Sequence, residues 1–191
     1  MEFKMTSEQE QLRTLARDFA EKEMKPYADQ WDEEGEWRRD CFEKAAAFGF
    51  AGMLCPKEYG GADLGFLGTV LVYEELAKGC MGTTFSMVVH NNFVRSVFSR
   101  GTEEQKRKWG EPAVRGEVLG AFCLTEPDHG SDAGSIESTA IPAGNHYLMN
   151  GTKAWVSNGG VADYYQFMAR TDPAAGKRGI SSIVVERERE G

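Results

Sequence analysis

The chain has 191 residues, of which 41% are hydrophobic and 27% charged, a balance typical of one large or two small globular domains. The net charge of −8 and the absence of a basic stripe argue against a DNA or RNA partner. No apolar run of about 18 residues is present, so we expect no membrane span. The charged start argues against a secretory signal. The four scattered cysteines favour reduced thiols in a cytoplasmic protein over a zinc site.

The first part of the sequence has the periodicity of helices. Apolar residues over 12–19 form one helical stripe, and Thr6 or Ser7, followed by Gln9, is typical of a capping box at the start of that helix. Pro26 is expected to end or bend it. Four further helical ranges are predicted, each closed by a glycine or opened by a second capping box: Arg39–Phe48, Phe66–Lys78, Phe85–Arg100 and Thr102–Trp109.

After Gly116 the hydrophobic period shortens towards two, which indicates strands. Asn150-Gly151 is typical of a two-residue hairpin turn, because both residues tolerate positive φ. Bare sheet edges lead us to expect that more protein follows or that another chain covers them. The predicted strands are Val118–Leu124, Ser135–Ile141, His146–Met149, Lys153–Val156, Tyr164–Ala169 and Ile180–Val185.

Helices followed by strands predict an α+β chain rather than an alternating α/β sheet. We expect an all-α N-terminal domain over residues 1–115. An incomplete β-barrel-like or sandwich domain would then begin at residue 116 and run to 191.

Several familiar catalytic motifs are absent from the sequence. It has no G-x-G-x-x-G after a strand, no P-loop, no G-x-S-x-G and no H-E-x-x-H. The acid pairs Glu74-Glu75 and Glu103-Glu104 lie beside helical stripes. We interpret them as solvated helix faces rather than as a glycosidase couple.

Two polar segments follow predicted strands. The first corner, residues 122–132, contains Gly130 and Ser131, whose backbone N–H groups and hydroxyl suit an anionic oxygen, and Thr125 as a donor at the strand exit. The second corner, residues 155–160, begins with an indole that could stack on a flat ring and hydrogen-bond its edge through a nearby hydroxyl. A plain turn and a core tryptophan are the respective alternatives.

Together these segments resemble the acyl-CoA dehydrogenase family. Residues 124–132 are similar to its first flavin signature, and residues 153–163 are similar to its second. The stretches at 56–61, 74–77 and 101–106 resemble other short sequence motifs of the family, in the same order. The resemblance covers nearly the whole chain.

This resemblance implies an FAD-dependent enzyme that removes hydrogens from the α and β carbons of an acyl-CoA thioester. Electrons would pass to an electron-transfer flavoprotein, and the full-length protein would be a homo-oligomer, a tetramer in the family. The catalytic base would lie in a third, helical domain outside these residues. We therefore assign no catalytic residue here and expect the 191-residue chain alone to be inactive.

The resemblance also implies roles for individual residues. Ser131 would lie beside the FAD pyrophosphate and the acyl-CoA, with Gly130 allowing the close approach. His129, where many members carry a smaller residue, is a candidate substrate contact; an exposed loop histidine is the alternative. The flavin ring would be lined by Phe122, Leu124, Thr125, Trp155, Val156 and Ser157.

Other functions stay open at this point. An acyl-CoA oxidase or a flavin monooxygenase would share the same fold and signatures. A chain of this kind could also be a non-catalytic interaction module or a partner-subunit half that pairs through a bare sheet edge. Binding of FAD would separate the enzyme from the module.

Overall fold

The computed structural model describes residues 4–189 and divides the chain into two compact units. The helical unit is Met1–Val118 and the sheet unit is Leu119–Gly191. Helices therefore precede strands, which confirms the α+β class, and the strands form one sheet that is not a closed barrel. Over residues 4–189, no helix has the length and hydrophobicity needed to cross a membrane.

Helix starts follow the capping signals of the sequence. Thr6 caps α1 by accepting the N–H of Gln9, whose side chain accepts the N–H of Thr6 in return at 3.0 Å. Thr102 and Gln105 form the same reciprocal pair at α6. The helices are α1 Ser7–Phe19, α2 Ala28–Glu34, α3 Arg39–Ala47, α4 Gly65–Gly79, α5 Met81–Arg100, α6 Glu103–Gln105 and α7 Glu111–Val114.

The chain does not leave α1 abruptly. A π-helical turn at Ala20–Met24 and a 3-10 turn at Lys25–Tyr27 lead into α2, so Pro26 bends the helical path as predicted. α1 packs on α4, and α4 packs on α5. The core of the helical unit is formed by their facing side chains together with buried residues of α3 and of the segment that follows it, such as Phe42, Phe50 and Met53.

The prediction that Glu74-Glu75 is a solvated pair is wrong for Glu75. Glu74 is exposed, but the Glu75 carboxylate on α4 has no exposed surface and accepts hydrogen bonds from Arg13 and Arg17 of α1. Lys78 adds a third donor at 2.9 Å. The helix predicted by the apolar periodicity is present as α4. Its buried face nevertheless carries a carboxylate, because cations on a different helix pair with it.

The sheet unit is organised around β4. β5 pairs with it antiparallel along its whole length, and β1 pairs parallel on its other edge, from Gly120 opposite Tyr164 onward. β2 joins that same edge further along, and β3 follows β2 in a hairpin. The strands are β1 Gly120–Cys123, β2 Thr139–Ala143, β3 His146–Asn150, β4 Tyr164–Arg170 and β5 Ile180–Glu186.

The predicted hairpin at Asn150-Gly151 and the strand at Lys153–Val156 are wrong. The hairpin is β2–β3, which turns at Gly144 with φ +70°, and residues 151–156 are irregular. Gly151 serves a close approach instead, because a Cβ there would lie 2.1 Å from the Ser138 hydroxyl. The segment after it pairs with the exit of β1 rather than with β3.

Candidate functional site

The two corners predicted from the sequence adjoin in the structure. The N–H of Ala154, one residue before the second corner, donates to the carbonyl of Thr125 in the first corner at 2.8 Å. The Lys153 ammonium donates to the neighbouring carbonyl of Leu124 at 3.1 Å. The strand exit of β1 and the segment leading to Trp155 are therefore joined side by side.

A buried ion pair lies at this junction. The Lys153 ammonium is 2.7 Å from the Glu126 carboxylate, and the two side chains are only 4% and 6% exposed. The same carboxylate accepts the backbone N–H groups of Glu137 and Ser138. Lys153 also lies over the ring of Phe167 on β4, at 5.0 Å from its centroid.

The environment keeps Glu126 ionised. Burial acts to raise the pKa of this carboxyl, but hydrogen bonds from the Glu137 N–H, Lys153 and Ser138 outweigh it and lower the pKa to about 2. The pair is thus an ionised carboxylate beside an ammonium, both nearly buried, which suits a structural joint rather than a proton-transfer group.

Trp155 has an unusual conformation for a bulky residue. Its φ is +56°, a left-handed conformation that is strained for an L-residue, and its side chain is 92% exposed. Asn158 is also left-handed, and its side-chain amide donates to the carbonyl of Gly120 on β1 at 3.0 Å. The backbone around Trp155 is therefore fixed on both sides while its indole faces outward.

The first corner continues through a tight turn. Glu126 and His129 exchange two backbone hydrogen bonds, at 3.0 and 3.2 Å, so the chain reverses between them. The His129 imidazole lies 3.5 Å from the Glu137 carboxylate. Gly130 and Ser131 follow the turn and are exposed, and a Cβ on Gly130 would meet no atom within 4 Å.

The other predicted ring contacts fall into two groups. Phe122, Leu124, Thr125 and Ser157 are half-buried, and Phe122 alternates along β1 with the inward-facing Ala121 and Cys123. Val156 instead packs against the small core of Ala121, Cys123 and Ala162. Its side chain therefore supports the corner from within, whereas the indole before it is free to meet a ligand.

The residues present fit a flavin. Among residues 4–189, no protein group hydrogen-bonds to the hydroxyls of Thr125, Ser131 or Ser157. An exposed aromatic face beside unused hydroxyl donors is what a flat, polar-edged ring would need. The structure joins Leu124 and Thr125 to the Trp155 segment, but no direct hydrogen bond in that described part joins Ser131 to it.

Two residues of the site carry no role in the sequence-based assignment. Glu126 and Lys153 both lie inside the recognised signatures, yet isolated charges in polar segments read as solvated groups. The only signal in the sequence was their place inside the two signatures. Only the fold shows that they pair, because 27 residues separate them.

Two family models match the chain. The model described as the acyl-CoA dehydrogenase N-terminal domain matches residues 6–117, and the acyl-CoA dehydrogenase middle domain matches residues 121–191. Each match lies almost entirely within one of the two structural units.

Curated relatives agree with these matches. The short-chain-specific acyl-CoA dehydrogenase of Clostridium acetobutylicum is 40% identical over 188 residues, which are 98% of this chain and 50% of the relative. The mitochondrial isobutyryl-CoA dehydrogenase of Dictyostelium discoideum is 39% identical over 98% of this chain and 45% of its own length. The chain thus spans about half the length of the curated relatives it matches.

Solved structures show the same relationship. A chain from work on the electron transferring flavoprotein of Acidaminococcus fermentans has a TM-score of 0.94 at 37% identity. Butyryl-CoA dehydrogenase from Megasphaera elsdenii has 0.91 at 33%, and PigA with FAD and proline has 0.93 at 32%. Each comparison covers 98% of this chain and 50% of the other. On the family matches and these identities, the chain belongs to the acyl-CoA dehydrogenase family.

Proposed function

We propose that this chain is the N-terminal, flavin-holding portion of an FAD-dependent acyl-CoA dehydrogenase, with its helical domain over residues 1–115 and the start of its β-domain over 116–191. The observation that carries the proposal is Trp155, which is 92% exposed and has a strained backbone conformation directly after Ala154, the residue that binds Thr125. Strain of this kind is retained where it serves a ligand. Dehydrogenases among the relatives and the FAD bound by PigA support the same function.

Each predicted flavin contact in the two corners has a task in this proposal. FAD, when bound, supplies the acceptor for the hydride that leaves the β carbon of the acyl group. Trp155 packs on the ring and fixes its angle, and Thr125 and Ser157 donate hydrogen bonds to its edge, with Phe122, Leu124 and the Val156 backbone beside them. Donors already fixed in place stabilise developing negative charge without reorganising. Gly130 and Ser131 meet the pyrophosphate.

The partners of the reaction are part of the proposal. The substrate is an acyl-CoA, the electrons leave to an electron-transfer flavoprotein, and the full-length protein is a cytoplasmic homo-oligomer. No residue of the chain is assigned as the base that removes the α proton. We therefore expect the 191-residue chain alone to be inactive, and steady turnover of a short-chain acyl-CoA by it would contradict this assignment.

FAD binding tests the proposal directly. Protein of the full length that its gene encodes is titrated with FAD, followed by the flavin absorption band and by quenching of tryptophan fluorescence. Replacing Trp155 by Ala should weaken FAD binding about tenfold through loss of ring stacking. Tyr147→Ala, which removes another exposed aromatic ring of the sheet unit, should leave it unchanged. A colourless protein that does not bind FAD would favour a non-catalytic module.

His129 is proposed as a substrate contact on the basis of its place at the end of the turn, directly before Gly130 and Ser131. Its imidazole lies 3.5 Å from Glu137, on the loop that also carries Ser131. Replacing His129 by Ala in the full-length enzyme should change the relative kcat/KM values for acyl-CoA substrates of different length and branching. An unchanged preference would mean that His129 is an exposed loop residue that does not contact the substrate.

A further inference from the structure

Packing of the Trp155 side chain does not explain the orientation of its indole. An indole that is 92% exposed has almost no packing contacts to fix it, and a positive φ is the less stable choice for a bulky residue. Something outside the side chain must therefore hold this conformation. We infer that Lys153 and Glu126 are positioning residues that set the orientation of the Trp155 indole beside Thr125.

The first support is the network on the N-terminal side of Trp155. Two residues before it, the Lys153 ammonium holds both the Leu124 carbonyl and the Glu126 carboxylate, at 3.1 and 2.7 Å. One residue before it, the N–H of Ala154 binds the carbonyl of Thr125. Three consecutive residues of the first corner are thereby attached to the two residues that lead into the indole.

The second support is that this attachment is itself anchored. Glu126 accepts the N–H groups of Glu137 and Ser138, which directly precede β2. Its carboxylate is therefore anchored at the point where the chain enters β2, outside the turn that holds its backbone. Lys153 links the anchored carboxylate to the second corner, because its ammonium is nearly buried and is bonded to Glu126.

The C-terminal side of Trp155 completes the arrangement without replacing it. Asn158 donates to the Gly120 carbonyl, and its own carbonyl accepts the N–H of Ala162 at 2.8 Å. These bonds fix the chain three residues beyond the indole. With the Lys153 contacts removed, the Ala154 hydrogen bond and the packing of Val156 against the small core that includes Cys123 would remain between this segment and the first corner, and we expect them to hold the φ of Trp155 less firmly.

The experiment observes Trp155 directly. The full-length protein is labelled with 5-fluorotryptophan, and the four tryptophans of residues 1–191 are followed by fluorine NMR without added FAD, each assigned by its own replacement with Phe. Trp155→Phe assigns the resonance of the exposed indole. The test variants are Lys153→Met, which keeps the chain length and removes the charge, and Glu126→Gln, which keeps the shape and decides the question if Lys153→Met does not fold.

A matched control is available on the same unit. Lys177 forms an ion pair with Asp132 at 3.3 Å, but both side chains are largely exposed. Lys177→Met removes an equal charge without touching the junction and should leave all four resonances in place. Lys153→Arg, which keeps a cation at the junction, should restore part of the wild-type signal.

The expected result is specific to one indole. In Lys153→Met and Glu126→Gln the Trp155 resonance should shift or split, while those of Trp31, Trp37 and Trp109 stay, and FAD affinity should fall about tenfold because the stacking surface is misplaced. A folded variant with an unmoved Trp155 resonance would overturn the inference. Only its affinity arm rests on the proposed function: if wild-type protein does not bind FAD, that function fails, and the fluorine spectra still decide the positioning role.

Discussion

Among residues 4–189, each unit of the protein buries one carboxylate, and the two are stabilised in different ways. In the helical unit Glu75 has three cationic partners, Arg13, Arg17 and Lys78, whose side chains are 28%, 44% and 56% exposed. In the sheet unit Glu126 has one cation that is almost wholly buried, and two backbone N–H groups complete its shell. Both carboxyls have a lowered pKa.

The difference shows that a buried carboxylate can have either of two structural roles. At Glu75 hydrogen bonds from Arg17 and the other cations lower the pKa, and the result is a link between α1 and α4 that touches neither corner. At Glu126 the partners are the very segments that carry the proposed flavin contacts. The residue type is the same, so its neighbours alone separate a packing role from a positioning role.

Removing Glu126 should have the largest effect. Glu126→Ala removes the carboxylate that neutralises the buried Lys153 ammonium and accepts two backbone N–H groups, and the expected loss is about 4 kcal/mol of unfolding free energy. Urea unfolding gives the total, and hydrogen exchange over residues 119–189 assigns it to the sheet unit. A loss below about 1 kcal/mol would mean that water reaches the pair.

Acid should act on the same carboxyl. The pKa of Glu126 is lowered from 4.5 to about 2 on folding, so its contribution is complete above pH 4.5 and is lost as the pH falls towards 2. The expected loss is at most about 3 kcal/mol. Stability measured between pH 6 and 2 checks this. In Glu126→Gln the part of the slope that comes from this carboxyl should disappear.

Removing Glu75 should cost less, although it has more ion-pair partners. Its cations are partly exposed and can turn to solvent, so Glu75→Ala should lower the unfolding free energy by about 2 kcal/mol. Far-UV circular dichroism during urea unfolding follows the helical unit. A cost equal to that of Glu126→Ala would show that the exposure of the partners does not decide the outcome.

The smallest stability effect is expected at Trp155. Because the side chain is 92% exposed, Trp155→Ala should change the unfolding free energy by no more than about 0.5 kcal/mol. The same variant is expected to lose FAD affinity, so stability and binding separate at this residue. A large destabilisation would mean that the indole supports the fold rather than a ligand.

The local patterns of the sequence predicted much of this protein. Capping boxes at Thr6 and Thr102 and the apolar periods of α1, α3, α4 and α5 give helices where expected. The order of helices and strands gives the class of fold, and the two signatures indicate the family. These features depend on residues within a few positions of one another, which is why they can be read without a structure.

The tertiary structure alone decided the rest. Asn150-Gly151 has the residue types of a hairpin turn, but no hairpin forms there. The chain after it instead bonds to Thr125, and Lys153 pairs with the buried carboxylate of Glu126 beside it. Glu75 lies 62 residues from Arg13, and Glu126 lies 27 residues from Lys153. A charge is stable in the interior only beside partners that folding brings to it, so its burial cannot be read from its own surroundings in the sequence.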